Sequence, residues 1–131
     1  MNFIMLIDDD PVSQRIMELL IKRVNPSIVP VKFYPANAAL GYLIENASHP
    51  DRLPPIIFLD LYMPGMNGWQ FLKEFEKLIT MLNKKITVYV VSAFLREEDY
   101  FLPSTYPFVK ACLLKPISKE LIADIISSSA I

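Results

Sequence analysis

Short apolar runs alternate along this chain with stretches whose apolar residues recur every three or four positions. Phe3 to Ile7 is an unbroken apolar run, the pattern of a strand buried on both faces. Asp10-Pro11 reads as a helix start, with a side-chain acceptor at the cap and proline at the first helical position. Ile16, Leu19 and Leu20 then predict the buried stripe of a first helix. Ile28 to Phe33 is a second strand candidate interrupted by Pro30, which cannot donate to a ladder and belongs on an edge strand. Leu40, Leu43, Ile44 and Ala47 mark a second helix, and residues 50–55 read as a loop.

Ile56 to Leu59 is a third buried strand that runs into Asp60. Met63 to Gly68 is turn chemistry. Phe71, Leu72, Phe75, Leu78, Ile79 and Leu82 give the clearest helical stripe in the chain. Ile86 to Val91, rich in β-branched residues, is a fourth strand. Arg96 to Leu102 predicts a short, ill-defined helix fenced by Pro103 and Pro107. Ala111 to Leu114 is a fifth strand, and Ser118 caps a last helix with Leu121, Ile122, Ile125 and Ile126 on its apolar face. Five strands alternating with five helices predict an α/β fold, a doubly wound parallel sheet with helices on both faces. In such sheets ligands sit outside the carboxyl ends of the strands.

Composition narrows the classes. At 131 residues and 53% apolar, the chain suits one domain, 1–131, with a sizeable core. Met1 stands just before the first strand and the chain ends with the fifth helix, so the expectation is a stand-alone domain without an output domain. A net charge of -1 with no basic stripe argues against a nucleic-acid partner. The first apolar run is too short for a leader or a membrane span. A single cysteine rules out an internal disulfide, and a reducing, cytoplasmic setting is expected.

The carboxyl edge is where the chemistry gathers. Strand one ends in Asp8-Asp9-Asp10, strand three in Asp60, strand four in Ser92 and strand five in Lys115-Pro116. Singly, each has an ordinary reading: an aspartate after a strand caps or turns, and a lysine at a strand end is solvated. Asp10 is read as a cap only. Together they are a different matter. Crowded carboxylates repel unless a cation sits among them. Oxygen ligands without His or Cys suit Mg²⁺, or Mn²⁺ in its place. Asp60 is then placed as a nucleophile, with Lys115 and Ser92 stabilising a transferred phosphoryl group.

These positions resemble the receiver domains of bacterial response regulators. The stretches Leu6-Ile7-Asp8-Asp9-Asp10-Pro11, Leu59 to Gly68, Val91-Ser92-Ala93 and Leu114-Lys115-Pro116 carry the likeness, in order, over essentially the whole chain. The resemblance implies the flavodoxin-like strand order 2-1-3-4-5. It implies phosphorylation of Asp60 by the phosphohistidine of a sensor histidine kinase or a histidine phosphotransfer protein. Mg²⁺ would be held by Asp8, Asp9, Asp60 and the backbone carbonyl of Tyr62. Ser92 would bond the phosphoryl group and swing inward, Lys115 would pair with the phosphorylated aspartate, and the bond before Pro116 would be cis. It also implies a phosphorelay switch rather than a true enzyme, an unknown downstream protein, and a monomer or a weak phosphorylation-linked dimer.

One position departs from the family pattern. Cys112 stands on strand five where relatives usually carry a switch tyrosine or phenylalanine, so a buried structural thiol is expected there. Three other functions compete. A phosphorylation-independent interaction module would usually lose an acid or the lysine. A phosphatase with an aspartyl nucleophile would want an acid where Tyr62 stands. A flavin-binding protein would want a phosphate cradle where Asp8-Asp9-Asp10 would repel one. His49 is expected on the surface, Trp69 in the core or facing a partner, and Tyr100, Phe101, Tyr106 and Phe108 in the core or on a docking face.

Overall fold

A computed structural model describes residues 2–129; Met1 and the last two residues, on which the expectation of a stand-alone domain bears, lie outside them. The strands are β1 (Phe3–Ile7), β2 (Val29–Phe33), β3 (Ile56–Leu59), β4 (Thr87–Ser92) and β5 (Val109–Leu114). The helices are α1 (Pro11–Val24), α2 (Ala36–Glu45), α3 (Gly68–Leu78), α4 (Leu102–Thr105) and α5 (Lys119–Ser127). All strand pairs are parallel, in the order β2-β1-β3-β4-β5. This is the flavodoxin-like doubly wound fold.

Strand position explains strand composition. β1 and β3 lie inside the sheet and are buried at every residue, so both read as continuous apolar runs. β2 is an edge, and Pro30 is accommodated there. Alternate residues feed two cores. Met5, Ile7, Ile57, Leu59, Val88 and Val90 meet Leu43 of α2 and Phe71, Leu72 and Phe75 of α3. Ile4, Leu6, Phe58 and Val91 meet Met17 and Ile21 of α1 and Ile122, Ile125 and Ile126 of α5. Each fully buried side chain of this size contributes about 1.5–3 kcal/mol of transfer free energy.

The helix starts follow their caps. Asp10 accepts from the Val12 N–H and Ser118 from the Leu121 N–H. Asn67 and Gln70 form a reciprocal capping box at α3, which fixes where the loop after Asp60 ends. Several details differ from the sequence pattern. α1 buries Gln14, Met17 and Ile21, while Ile16 and Leu19 are 49% and 46% exposed. Ile44 and Ile79 are also exposed. The loop at 50–55 contains one 3₁₀ turn, Pro50–Arg52. The short helix before β5 is a 3₁₀ segment, Glu97–Phe101, running into the single turn of α4, because Pro103 can only sit at a helix start.

Candidate functional site

The carboxyl ends of β1, β3, β4 and β5 bring the acidic, hydroxyl and ammonium groups together. One oxygen from each of Asp8, Asp9 and Asp60 lies within 4.8 Å of the others, close enough to share a cation. Lys115 reaches into this group from the end of β5. Its ammonium donates to Asp8 Oδ2 at 2.6 Å, to Ser13 Oγ at 3.1 Å and to Asp60 Oδ2 at 3.5 Å. The Asp8 and Asp60 side chains are only 10% and 12% exposed, so their charge is weakly screened. The peptide bond between Lys115 and Pro116 is cis.

Ser92 is fully buried at the end of β4. Its hydroxyl donates to Asp60 Oδ1 at 2.5 Å and accepts from the Leu61 N–H at 3.1 Å. The Tyr62 N–H donates to the same Asp60 oxygen at 3.2 Å. Asp60 thus receives donors from two sides, from the hydroxyl and backbone at Oδ1 and from the ammonium at Oδ2. Burial pushes the Asp8 carboxyl above its usual value, against the lowering effect of the Lys115 ammonium and of the Asp10 N–H.

The loop after Asp60 is shaped by two glycines. Gly65 has φ +72°, a left-handed conformation that glycine adopts without strain. Gly68 lies so close to the preceding loop that a Cβ there would stand 2.6 Å from Leu61 Cα and 2.7 Å from the Asp60 carbonyl oxygen. The start of α3 can therefore press directly on the backbone that carries the acceptor.

Pattern reading did not single out several other groups around the site. Ser13, in the first turn of α1, is the third partner of Lys115. Gln14 is buried, and its amide nitrogen donates to the carbonyls of Leu6, Asp8 and Phe33, tying α1 to the ends of β1 and β2. Asp99 is buried and accepts from the Tyr62 phenol and the Arg96 N–H. The Arg96 guanidinium lies over the Trp69 ring at 4.8 Å and also donates to the Tyr62 hydroxyl. A glutamine on an apolar helix face carries a signal, since a buried amide demands partners. Asp99 carries none, because Glu97-Glu98-Asp99 reads as a solvated charge run.

Cys112, expected to be buried, is only half-buried; it pairs in register with Val90 on the neighbouring strand, and its thiol donates to the Asp99 carbonyl at 3.3 Å. Burial raises its pKa to about 11. Asp10 serves as the cap of α1 and donates its own N–H to Asp8. Trp69 is half-buried against Tyr62, His49 is exposed, Tyr100 and Phe101 are exposed, and Tyr106 and Phe108 pack partly against the core.

Comparison with known proteins matches the model of the response regulator receiver domain to residues 4–127. The chain belongs to this family. The receiver is similar in structure to a two-component response regulator from Cytophaga hutchinsonii, with 26% identity, TM-score 0.81, and 97% of this chain and 95% of that one covered. A two-component response regulator from Legionella pneumophila gives 23% identity, TM-score 0.81, and 98% and 97% covered. A CheY-like receiver domain protein from Methanospirillum hungatei gives 15% identity, TM-score 0.76, and 98% and 92% covered, which shows the shared fold. No curated protein matches. Receiver domains are signalling modules of two-component systems, and this receiver keeps an acidic cluster that could bind a metal. Among its described residues no helix is long and apolar enough to cross a membrane.

Proposed function

We propose that this receiver takes a phosphoryl group on Asp60 from the phosphohistidine of a sensor histidine kinase or a histidine phosphotransfer protein, and passes on its state through a partner protein. The observation that carries the reading is the convergence on Asp60 of the Ser92 hydroxyl and the Lys115 ammonium beside the carboxylates of Asp8 and Asp9. A degenerate interaction module has no need of that set.

In the reaction an Asp60 carboxylate oxygen attacks phosphorus, a P–O bond forms and the P–N bond of the donor breaks. The histidine nitrogen keeps the bonding electron pair. Asp8, Asp9, Asp60 and the Tyr62 carbonyl would hold Mg²⁺ (or Mn²⁺), which when bound neutralises charge on the phosphoryl oxygens. Lys115 meets the same developing charge from the β5 side, while Ser92, which donates to Asp60 Oδ1 before transfer, would turn its hydroxyl to a phosphoryl oxygen as the group arrives. The Ser92 and Tyr62 donors orient the Asp60 carboxylate, so little reorganisation is needed during transfer.

The reading is tested by incubating the protein with phosphoramidate, a small P–N donor, in Mg²⁺ and in a chelator, and reading intact mass. A single phosphoryl adduct that needs the metal supports it. Folded, Mg²⁺-binding protein that takes no adduct from phosphoramidate or from a phosphorylated histidine phosphotransfer protein refutes it in favour of the interaction module.

A further inference from the structure

We infer that the buried Asp99 is a positioning residue that couples the Asp60 site to the segment 94–102 through the phenol of Tyr62. The inference rests on Asp60 being the phosphoryl site.

Asp99 is 0% exposed, yet it lies in a surface segment between two exposed glutamates on one side and exposed Tyr100 and Phe101 on the other. One of its oxygens accepts from the Tyr62 hydroxyl at 2.5 Å and from the Arg96 N–H at 2.8 Å. Its other oxygen is buried without a partner. The Arg96 contact closes the local turn and needs nothing else. The Tyr62 contact does not serve the turn: it comes from a residue 37 positions away, on the loop after the acceptor strand. Tyr62 is also bonded to Asp60, since its N–H donates to Asp60 Oδ1. One residue therefore holds the acceptor with its backbone and the buried Asp99 with its ring.

The far end of the path is anchored as well. The Asp99 carbonyl accepts from the Cys112 thiol at 3.3 Å, which fixes the segment to β5. The aromatic link from the segment to the site comes from Tyr62. Residues that follow Asp99 in any displacement include Phe94, Tyr100 and Phe101, which are 61%, 50% and 63% exposed. Any ligand that changes the Asp60–Tyr62 geometry thus changes how this aromatic surface is presented. Coupling is reciprocal, so loosening Asp99 from Tyr62 must also alter cation affinity at the aspartates.

The test compares wild type with Tyr62→Phe, which removes one hydroxyl and keeps the ring that packs on Trp69. Asp99→Ala would open a hole in a buried position, so the conservative variant is used. Mg²⁺ affinity is measured by calorimetry, and amide exchange over 94–102 is followed with and without Mg²⁺ plus beryllofluoride, a phosphoryl mimic. The expected result is a ligand-dependent change in exchange in wild type that Tyr62→Phe loses while still binding both ligands, with Mg²⁺ affinity lowered about fivefold. Tyr62→Phe responding as wild type does would overturn the inference. So would a wild type that binds the ligands without any response in 94–102. If wild type binds neither ligand, the phosphoacceptor reading itself fails and the coupling falls with it, an outcome told apart by the missing binding signal.

Discussion

The Ser92 hydroxyl lies 2.5 Å from Oδ1 of Asp60 and donates to it across 32 residues of sequence. The same oxygen of Ser92 accepts from the Leu61 N–H, so in the unphosphorylated protein the hydroxyl proton points at Asp60. Ser92→Ala removes the donor and strands a buried N–H. A hydrogen bond to a charged group is worth about 1.5–3 kcal/mol, which predicts phosphorylation slowed by about tenfold or more. Ser92→Thr restores the hydroxyl and most of the rate. Stopped-flow phosphorylation with a small donor checks both.

Asp8→Asn is predicted to stabilise the metal-free protein at neutral pH. Burial raises the Asp8 pKa in the fold, so the folded state binds a proton more readily than the unfolded chain. An acid raised in this way lowers stability as pH rises from its unfolded toward its folded value, and the penalty is complete above both. A neutral isostere removes that penalty and the repulsion with Asp60. Thermal melts at pH 7 should show a higher Tm for the variant, and the advantage should shrink as pH falls into the carboxylate range. Mg²⁺ should raise the Tm of wild type and leave that of the variant nearly unmoved.

Cys112 is predicted to be a slow thiol. With its pKa at about 11 against 9.0 for an ordinary thiol, its thiolate fraction at pH 8 is about a hundredfold below that of a free cysteine. Alkylation by iodoacetamide should be correspondingly slow and should climb steadily with pH past 9. Its linkage has the same sign as that of Asp8: folded stability from this group declines as pH rises from 9 toward 11. Labelling as fast as that of an unfolded control would contradict the raised pKa of this half-buried thiol.

Gly68→Ala is predicted to cost about 1–3 kcal/mol, because the added Cβ meets rigid backbone at Leu61 and Asp60 and cannot be absorbed by a rotamer change. Urea unfolding gives the loss in stability. Phosphorylation should also slow, since the displaced backbone is the one that carries the acceptor.

The sheet was legible because each strand declares its place. The unbroken runs at β1 and β3 demanded burial on two faces, and Pro30 demanded an edge. The candidate site was legible because Asp8, Asp60, Ser92 and Lys115 each directly follow or end a strand, with Asp9 one residue further along. The face of α1 departs from its apolar pattern: Ile16 and Leu19 are exposed, while Gln14 points inward and its amide donates to the carbonyls of Leu6, Asp8 and Phe33. Asp99 escaped notice for the opposite reason. Its hydrogen-bond partners Tyr62 and Cys112 are distant in sequence, and nothing in the local acidic run distinguishes it from its exposed neighbours.

We propose that Asp60, and no other carboxylate in the cluster, carries the phosphoryl group. Borohydride reduces an acyl phosphate, so treatment of the phosphorylated protein followed by digestion and peptide mass analysis marks the residue that bore it. Conversion of Asp60 to homoserine, dependent on Mg²⁺ and absent in Asp60→Asn, is the predicted result. Conversion at Asp8 or Asp9, or an adduct that persists in Asp60→Asn, would contradict it.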